Sequence, residues 1–300
     1  MEIAGLRVGI LGGDRRELEV ARILEALGAR VRAVGLPWPD EVSQTVNRLE
    51  EVAAWADCLV APVGGTDDAG NVLYCLTGDT QPPPRVTAEV VGRIRPGALF
   101  FIGKAAPYLR ELCRLRQVRL VEFRERDEFA VLNSVPTAEG AIQMAMEHTD
   151  ITLHGSELLI LGYGRCGQTL AGMLHGLGAH TWVAAREAAL AARAVVDGHR
   201  VLEWGELKGR IGAMEVVFNT VPAMVLPEEV LAHAKGELVV VDLASAPGGV
   251  DFLAARRLGI RAYLAPGLPG IVAPKTAGRI VAKVILQFLD RDPGGWRGGD

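Results

Sequence analysis

The stretch Leu158-Leu159-Ile160-Leu161-Gly162-Tyr163-Gly164-Arg165-Cys166-Gly167 decides the fold of this 300-residue chain. An apolar, strand-like run ends at Leu161, and the G-x-G-x-x-G pattern after it opens a segment of helical periodicity. Gly162 permits a tight turn, Gly164 lets a pyrophosphate approach backbone N–H groups, and Gly167 allows the helix to pack closely. The context on both sides of the glycines predicts a Rossmann dinucleotide-binding unit in the second half of the chain.

Short apolar runs rich in β-branched residues alternate with helical-period segments along the whole chain, as in βα units around parallel sheets. The predicted strands are residues 7–11, 30–34, 58–61, 98–102 and 118–121 in the first half and 158–161, 180–184, 215–219, 238–242 and 261–264 in the second. This pattern predicts an α/β protein with two doubly wound parallel-sheet domains, a flavodoxin-like N-terminal domain and a Rossmann domain.

The two halves resemble each other at an offset of 150 residues, where residues 10–12 superimpose on 160–162. Common descent and the general similarity of βα units explain this match equally well. At the same offset, Asp14 and Glu17 take the places of the second and third glycines of the loop. Carboxylates there would repel a pyrophosphate, so the first domain is predicted not to bind a dinucleotide.

Two amphipathic segments, Pro136–His148 and Pro274–Leu289, have no place inside either predicted sheet. Each begins with a proline, which is common in the first turn of a helix, and we expect them to be helices that link the domains. The predicted division is residues 1–132 for a substrate domain, 133–273 for the Rossmann domain, 274–290 for a helix that returns to the first domain and 291–300 for a disordered tail.

The composition excludes several classes of protein. A net charge of −4 argues against binding nucleic acid by phosphate neutralisation, and no apolar run is long enough for a membrane span. The four cysteines form no C-x-x-C pair and do not cluster with histidines at metal-ligand spacing. We therefore expect a cytoplasmic protein with reduced thiols and without a metal site.

The residues after the second strand of the Rossmann unit decide between NAD and NADP. An acidic residue commonly binds the ribose hydroxyls of NAD there, but this chain has Ala184-Ala185-Arg186. Arg186 can pair bidentately with a 2′-phosphate, with Arg193 as a candidate for support. The sequence predicts NADP(H), although Glu187 could still contact a ribose.

Longer motifs run nearly from end to end of the chain. They are residues 12–14 (GGD), 125–127 (ERD), 133–140 (NSVPTAEG), 154–156 (HGS), 242–249 (DLASAPGG) and 265–278 (APGLPGIVAPKTAG). Together with the glycine loop, these motifs resemble those of the A-subunit of bacterial dipicolinate synthase.

The resemblance implies an NADP-linked enzyme of sporulating bacteria that acts with a flavoprotein B-subunit. The pair would convert a dihydrodipicolinate-type precursor to pyridine-2,6-dicarboxylate. A fold like that of the D-2-hydroxyacid dehydrogenases is also implied, with the substrate between the domains. The catalytic histidine and glutamate of those dehydrogenases have no obvious counterpart in residues 266–270 (PGLPG), which disfavours oxidation of an alcohol.

A substrate with two carboxylates needs cationic anchors, and the candidates are Arg16, Arg126 and Lys275. Ser134 and Thr137 at the predicted helix start either cap the helix or contact the substrate. The proton acceptor is open: the candidates are Glu139, Asp127 and Lys275, and water serves equally well.

The candidate cofactor residues follow the carboxyl ends of the strands in the Rossmann unit. They are Gly162, Gly164, Arg165, Cys166, Gly167, Arg186, Asn219, Thr220, Pro222, Ser245, Pro266, Gly267, Leu268 and Pro269. Two other functions stay open, an NADP-dependent reductase or dehydrogenase of another small carboxylate and an NADPH-binding regulatory module. Apolar helices at the domain crossovers also favour a homo-oligomer.

Overall fold

The fold is described from a computed structural model, which covers residues 3–36, 46, 48–73, 83–245 and 247–291. The predicted disordered tail lies outside these described residues except for Arg291, which ends the last helix. Cys75, which the sequence predicts to be a reduced thiol, also lies outside them. Within the described ranges, no helix combines the length and the apolar character needed to cross a bilayer.

Apolar runs in the first half of the chain form a parallel sheet of order β2-β1-β3-β4-β5. Its elements are β1 Arg7–Leu11, α1 Arg15–Ala26, β2 Arg30–Val34, α2 Leu49–Trp55, β3 Cys58–Val60, α3 Ala88–Arg93, β4 Leu99–Ile102, α4 Pro107–Leu115 and β5 Arg119–Glu122. This is the flavodoxin-like strand order. β2 is added on one side of β1 and the later strands are added on the other, so the switch point of the sheet lies between β1 and β3. The predicted flavodoxin-like architecture is confirmed.

A long helix, α5 Asp127–His148, precedes the second sheet, which has the order β11-β10-β9-β6-β7-β8 and is also parallel. The remaining elements are β6 Glu157–Leu161, α6 Arg165–Gly176, β7 His180–Ala184, α7 Ala188–Val196, β8 Arg200–Val201, α8 Leu207–Arg210, β9 Val216–Asn219, α9 Glu228–Leu231, β10 Val239–Asp242, α10 Phe252–Arg257, β11 Arg261–Leu264, α11 Leu268–Val272 and α12 Pro274–Arg291. This is the strand order of a dinucleotide-binding fold, with its switch point between β6 and β9. The predicted Rossmann architecture is confirmed.

Both sheets are covered on both faces by apolar side chains. In the first sheet, Val8 and Ile10 pack into one cluster while Leu11 and Leu59 pack into a second one. Burial on two faces explains why the strands are continuous apolar runs rather than alternating patterns.

The chain divides into two compact units, one formed by Met1–Leu132 with Ala273–Asp300 and the other by Asn133–Val272. The chain passes from the first unit to the second inside α5, between Leu132 and Asn133. It returns at the start of α12, a helix that belongs to the first unit.

The helix predicted to start at Pro136 starts nine residues earlier, at Asp127, and Pro136 lies inside it. Proline lacks the N–H that would bond to the carbonyl four residues back, so it tolerates a helix interior only where tertiary packing supports it. Thr137 does not cap the helix, because its hydroxyl donates to the Asn133 carbonyl at 2.8 Å. The expected free N–H groups beside Ser134 and Thr137 are therefore absent from this described segment.

Helix α12 packs along α1 within the first unit. A Cβ on Gly278 would lie 2.7 Å from the carbonyl oxygen of Arg16, so only glycine allows this approach. Further along, Leu27 and Leu286 line one groove between the helices. Residue numbers rise in the same direction along both helices, so the helices are parallel. Lys275 therefore lies at the same end as the start of α1.

Candidate functional site

The glycine loop after β6 has three glycines in three different environments. Gly162 has a φ of +92°, and a Cβ on it would lie 2.4 Å from Thr220 Oγ1. A Cβ on Gly167 would lie 2.2 Å from the Gly162 carbonyl oxygen. A Cβ on Gly164 would meet no atom within 4 Å. The first and third glycines are thus required by the fold, whereas the second borders open space.

Helix α6 begins directly behind this loop, and its N-cap is Gly164, a residue with no side chain that could cap the first N–H groups. Gly164 and Arg165 are both exposed. The start of a 12-residue helix carries a partial positive charge, and its uncapped N–H groups point toward the place where an anion would bind. This arrangement fits a pyrophosphate at the sheet's switch point.

Tyr163, the residue between the first two glycines, is buried, with 2% of its surface exposed. Its hydroxyl donates to Asp197 Oδ2 at 2.8 Å, and its carbonyl accepts from Gln168 Nε2 at 2.9 Å. Arg193 also pairs with Asp197, at 2.8 Å. The G-x-G-x-x-G pattern sets no requirement at Tyr163, but in the structure Tyr163 anchors the loop. Arg193, expected to support a 2′-phosphate, is engaged by Asp197.

The loop after β9 lies against the glycine loop. The backbone N–H and the hydroxyl of Thr220 both donate to the Leu161 carbonyl, each at 2.9 Å. Asn219 is fully buried, and its amide contacts Asp242 and Val221. Both ends of its side chain are thus used inside the protein, and a contact between Asn219 and the cofactor stays a prediction. Pro222 is exposed.

Arg186 follows β7 and is exposed at the carboxyl edge of the sheet. Its guanidinium carbon lies 5.8 Å from the ring centre of Trp204, which follows the neighbouring strand β8. A cation–π contact of this kind holds a guanidinium near one position without neutralising it. Glu187, next to Arg186, is exposed as well.

The late motif, residues 265–278, contains a turn and a short helix. Gly267 makes the turn with a φ of +71°, and the short helix α11 then begins at Leu268. Leu268 and Pro269 are buried, which places them in the core rather than at a cofactor surface. Pro266 and Ser245 are exposed.

Cys166, in the first turn of α6, is partly buried. Burial raises the pKa of its thiol to about 11, so the thiol is protonated at neutral pH. Only its backbone N–H is therefore suited to bind an anion.

The equivalent helix start in the first unit is closed by side chains. Asp14 caps α1, and its backbone N–H donates to Glu17 Oε2 at 2.8 Å, which completes a capping box. Arg16 is 2% exposed and forms a 2.7 Å ion pair with Asp14. The two carboxylates lie over the first turn, as predicted. Arg16 could anchor a substrate only if this ion pair opened.

Glu17 is fully buried, and its Oε1 atom has no hydrogen-bond partner among the described residues. Desolvation by this burial raises the pKa of the carboxyl to about 7, while the cation of Arg16 acts in the opposite direction. Glu17 is thus a carboxyl group that holds its proton near neutral pH.

The other substrate candidates lie at separate places. Arg126 is partly buried and forms a 2.7 Å ion pair with Glu128, while Lys275 is exposed in the first turn of α12. The hydroxyls of Ser134 and Thr169 share a 2.6 Å hydrogen bond inside the second unit. The carboxylate candidates Asp127 and Glu139 are both exposed, and Glu139 borders an apolar groove on α5 and α6.

Comparison with known proteins decides the family. The family model for the N-terminal domain of the dipicolinate synthase A-subunit matches residues 7–124. The dipicolinate synthase A-subunit of Bacillus subtilis (strain 168) is 37% identical over 290 residues, which is 96% of this chain and 97% of that protein. The chain belongs to the dipicolinate synthase A-subunit family.

A solved structure of the dipicolinate synthase A-subunit from Bacillus halodurans matches this family member with a TM-score of 0.87 and 38% identity, over 96% of this chain and 99% of the other. The fold is shared more widely. A transhydrogenase of Sinorhizobium meliloti matches with a TM-score of 0.67 and 16% identity, over 95% of this chain and 93% of the other. The A-subunit family therefore has a two-domain architecture related to that of Rossmann-like dehydrogenases.

Two residues of this A-subunit family member were not predicted to support the site. Tyr163 occupies an unconstrained position of the glycine pattern, and Asp242 ends an ordinary apolar strand. A single sequence held one usable signal, the glycine pair at 248–249, since glycines after a strand often mark close packing around another group.

Proposed function

We propose that this chain binds NADP(H) and, together with the flavoprotein B-subunit, dehydrogenates a dihydrodipicolinate-type ring to pyridine-2,6-dicarboxylate. The observation that carries the proposal is the uncapped start of α6 behind Gly164, at the switch point of the sheet. The family supports the choice of reaction, and the exposed Arg186 supports NADP over NAD.

Aromatisation of the ring removes one hydride and one proton. Bound NADP+ supplies the hydride acceptor. The chain's own task is to hold the ring in one orientation and to accept the proton at a carboxylate or through water. Asp127 and Glu139 stay our candidates for that proton, and their exposure gives them access to solvent as the final proton sink.

The first unit supplies the cations for the two ring carboxylates in this proposal. Arg15 and Lys275 are exposed in the first turns of the parallel helices α1 and α12. Two cations at neighbouring helix starts attract a substrate that carries two carboxylates. Arg126 provides a further anchor if its pair with Glu128 opens.

The decisive experiment mixes the purified chain with enzymatically generated dihydrodipicolinate and NADP+, with and without the flavoprotein, and follows the absorbance of the pyridine product. We expect product to form with the flavoprotein present, together with NADPH. Absence of pyridine absorbance from both mixtures, with NADPH binding intact, would rule out this reaction and favour another small carboxylate.

Arg186 sets the preference for NADPH in this proposal. Arg186→Gln should weaken NADPH binding at least tenfold and leave NADH binding unchanged, because a hydrogen bond to a charged group contributes about 1.5–3 kcal/mol. Calorimetric titration of both cofactors measures the two affinities. Arg200→Gln is the matched control, since Arg200 contacts Glu157 and Trp182 instead. An equal loss for both cofactors would contradict a 2′-phosphate contact.

A further inference from the structure

Asp242, at the end of β10, is a fully buried carboxylate on which three N–H groups converge. Its Oδ1 accepts from Asn219 Nδ2 at 2.8 Å and from the Ala244 backbone at 3.0 Å. Its Oδ2 accepts from the Gly249 backbone at 2.7 Å. A buried carboxyl group is costly to desolvate, and these three hydrogen bonds offset that cost.

Asn219 links Asp242 to the loop after β9 through further hydrogen bonds. Its Nδ2 also donates to the Val221 carbonyl at 3.0 Å, and its Oδ1 accepts from the Val221 backbone at 2.9 Å. From the other side, the Gly249 carbonyl accepts from the backbones of Val225 and Leu226, each at 2.9 Å. We call residues 219–226 together with residues 242–245 and 247–250 the two-loop clasp.

The clasp accounts for the glycine pair at 248–249. A Cβ on Gly248 would lie 2.5 Å from Asp242 Oδ2, and one on Gly249 would lie 2.5 Å from both Asn219 Nδ2 and the Ala223 carbonyl oxygen. Both positions therefore admit only glycine while Asp242 and Asn219 keep their contacts. The motif serves the buried pair rather than a phosphate.

One side of the clasp faces the glycine loop of the dinucleotide site. Thr220, the residue after Asn219, donates twice to the Leu161 carbonyl and lies against Gly162. Val221 also lies against Gly162, and the residues after it, 222–224, are exposed. The clasp thus holds a short exposed segment on the β9 side of the switch point, whereas Arg186 lies on the β7 side.

We propose that Asp242 is a positioning residue that acts through Asn219 to hold residues 220–224 against the nicotinamide half of the dinucleotide. The inference rests on the proposed NADP(H) site. Because the glycine loop takes the pyrophosphate and Arg186 takes the adenosine 2′-phosphate, the β9 side of the switch point is left for the nicotinamide riboside. A substitution that disrupts the clasp should then weaken binding of the nicotinamide half of the cofactor and leave binding of the adenosine half unchanged.

The test compares two ligands, NADPH and 2′-phospho-ADP-ribose, which lacks the nicotinamide. Asp242→Asn keeps the shape but replaces one acceptor oxygen with an NH2 group, which opposes N–H groups that need an acceptor. We expect NADPH affinity to fall at least fivefold while the affinity for 2′-phospho-ADP-ribose stays within twofold. Asp251→Asn is the control, because it changes only a side chain that caps α10 with a 2.8 Å bond from Ala254 and leaves the bond from the Asp251 backbone to Leu226 in place, so both affinities should stay unchanged.

Equal weakening of both ligands by Asp242→Asn would overturn the inference, since a merely structural role would disturb the whole unit. Pro222→Gly is the second variant, which loosens the exposed segment without touching the buried pair and therefore does not depend on tolerance at Asp242. It should also weaken NADPH selectively, and unchanged NADPH affinity would overturn the inference. Failure of the wild-type chain to bind either ligand would instead overturn the proposed NADP(H) site itself.

Discussion

Gly164→Ala should reduce NADPH binding by ten- to a hundredfold and leave the fold intact. The added methyl group meets no protein atom within 4 Å, so it does not strain the loop. It occupies the space through which a pyrophosphate reaches the first N–H groups of α6, and loss of one charge-assisted hydrogen bond costs about 1.5–3 kcal/mol. Calorimetric titration with NADPH measures the affinity, and urea denaturation measures the free energy of unfolding.

Gly172→Ala is the matched control, because Gly172 lies in the same helix and a Cβ there also meets no atom within 4 Å. Its NADPH affinity should equal that of the wild type. Gly167→Ala provides the contrast, since its Cβ would lie 2.2 Å from the Gly162 carbonyl oxygen and should destabilise the fold. If Gly164→Ala bound NADPH as tightly as the wild type, the pyrophosphate would not bind at this helix start.

Glu17 should make the stability of the chain decrease as the pH rises. Burial raises the folded-state pKa of Glu17 to about 7 from its usual value of 4.5. The proton is bound more tightly in the folded state, so the stabilisation is complete below pH 4.5 and is lost as the pH approaches and passes 7. The expected loss is on the order of 3 kcal/mol, from about 1.36 kcal/mol per pH unit.

Urea denaturation of the wild type and of Glu17→Gln between pH 5 and pH 8 measures this effect. Glutamine stays neutral and still accepts from the Asp14 backbone, so the advantage of the wild type over Glu17→Gln should shrink as the pH rises. Glu51→Gln is the control, since Glu51 has the same third position in α2 but is exposed, and its curve should run parallel to the wild type. Parallel curves for Glu17→Gln would show that Glu17 is ionised throughout.

The strands were predictable to within one or two residues because burial on both faces makes each one an apolar run, as in β6 and β10. Strand β8 was not, because it has two residues and no period to detect. Pro136 misled the prediction, since the sequence signal of a proline at a helix start is the same as that of one inside a helix packed in the core.

The candidate site was also predictable only in part. The glycine loop was predictable because its chemistry resides in the backbone, and local sequence is enough to place a backbone turn. The partners of Arg16, Asn219 and Arg193 were not, because an isolated sequence does not say whether a polar side chain faces solvent or another side chain. These residues meet partners that only the folded chain provides.

The closed start of α1 also limits what mutation can do to the first unit. Removing Asp14 alone would leave the Arg16 cation buried and unpaired, and removing Glu17 alone would leave Asp14 over the helix start. A phosphate can enter this helix start only when Asp14, Arg16 and Glu17 change together. Single substitutions at these positions would therefore leave the proposed dinucleotide site in the second unit as the single one of its kind among the described residues.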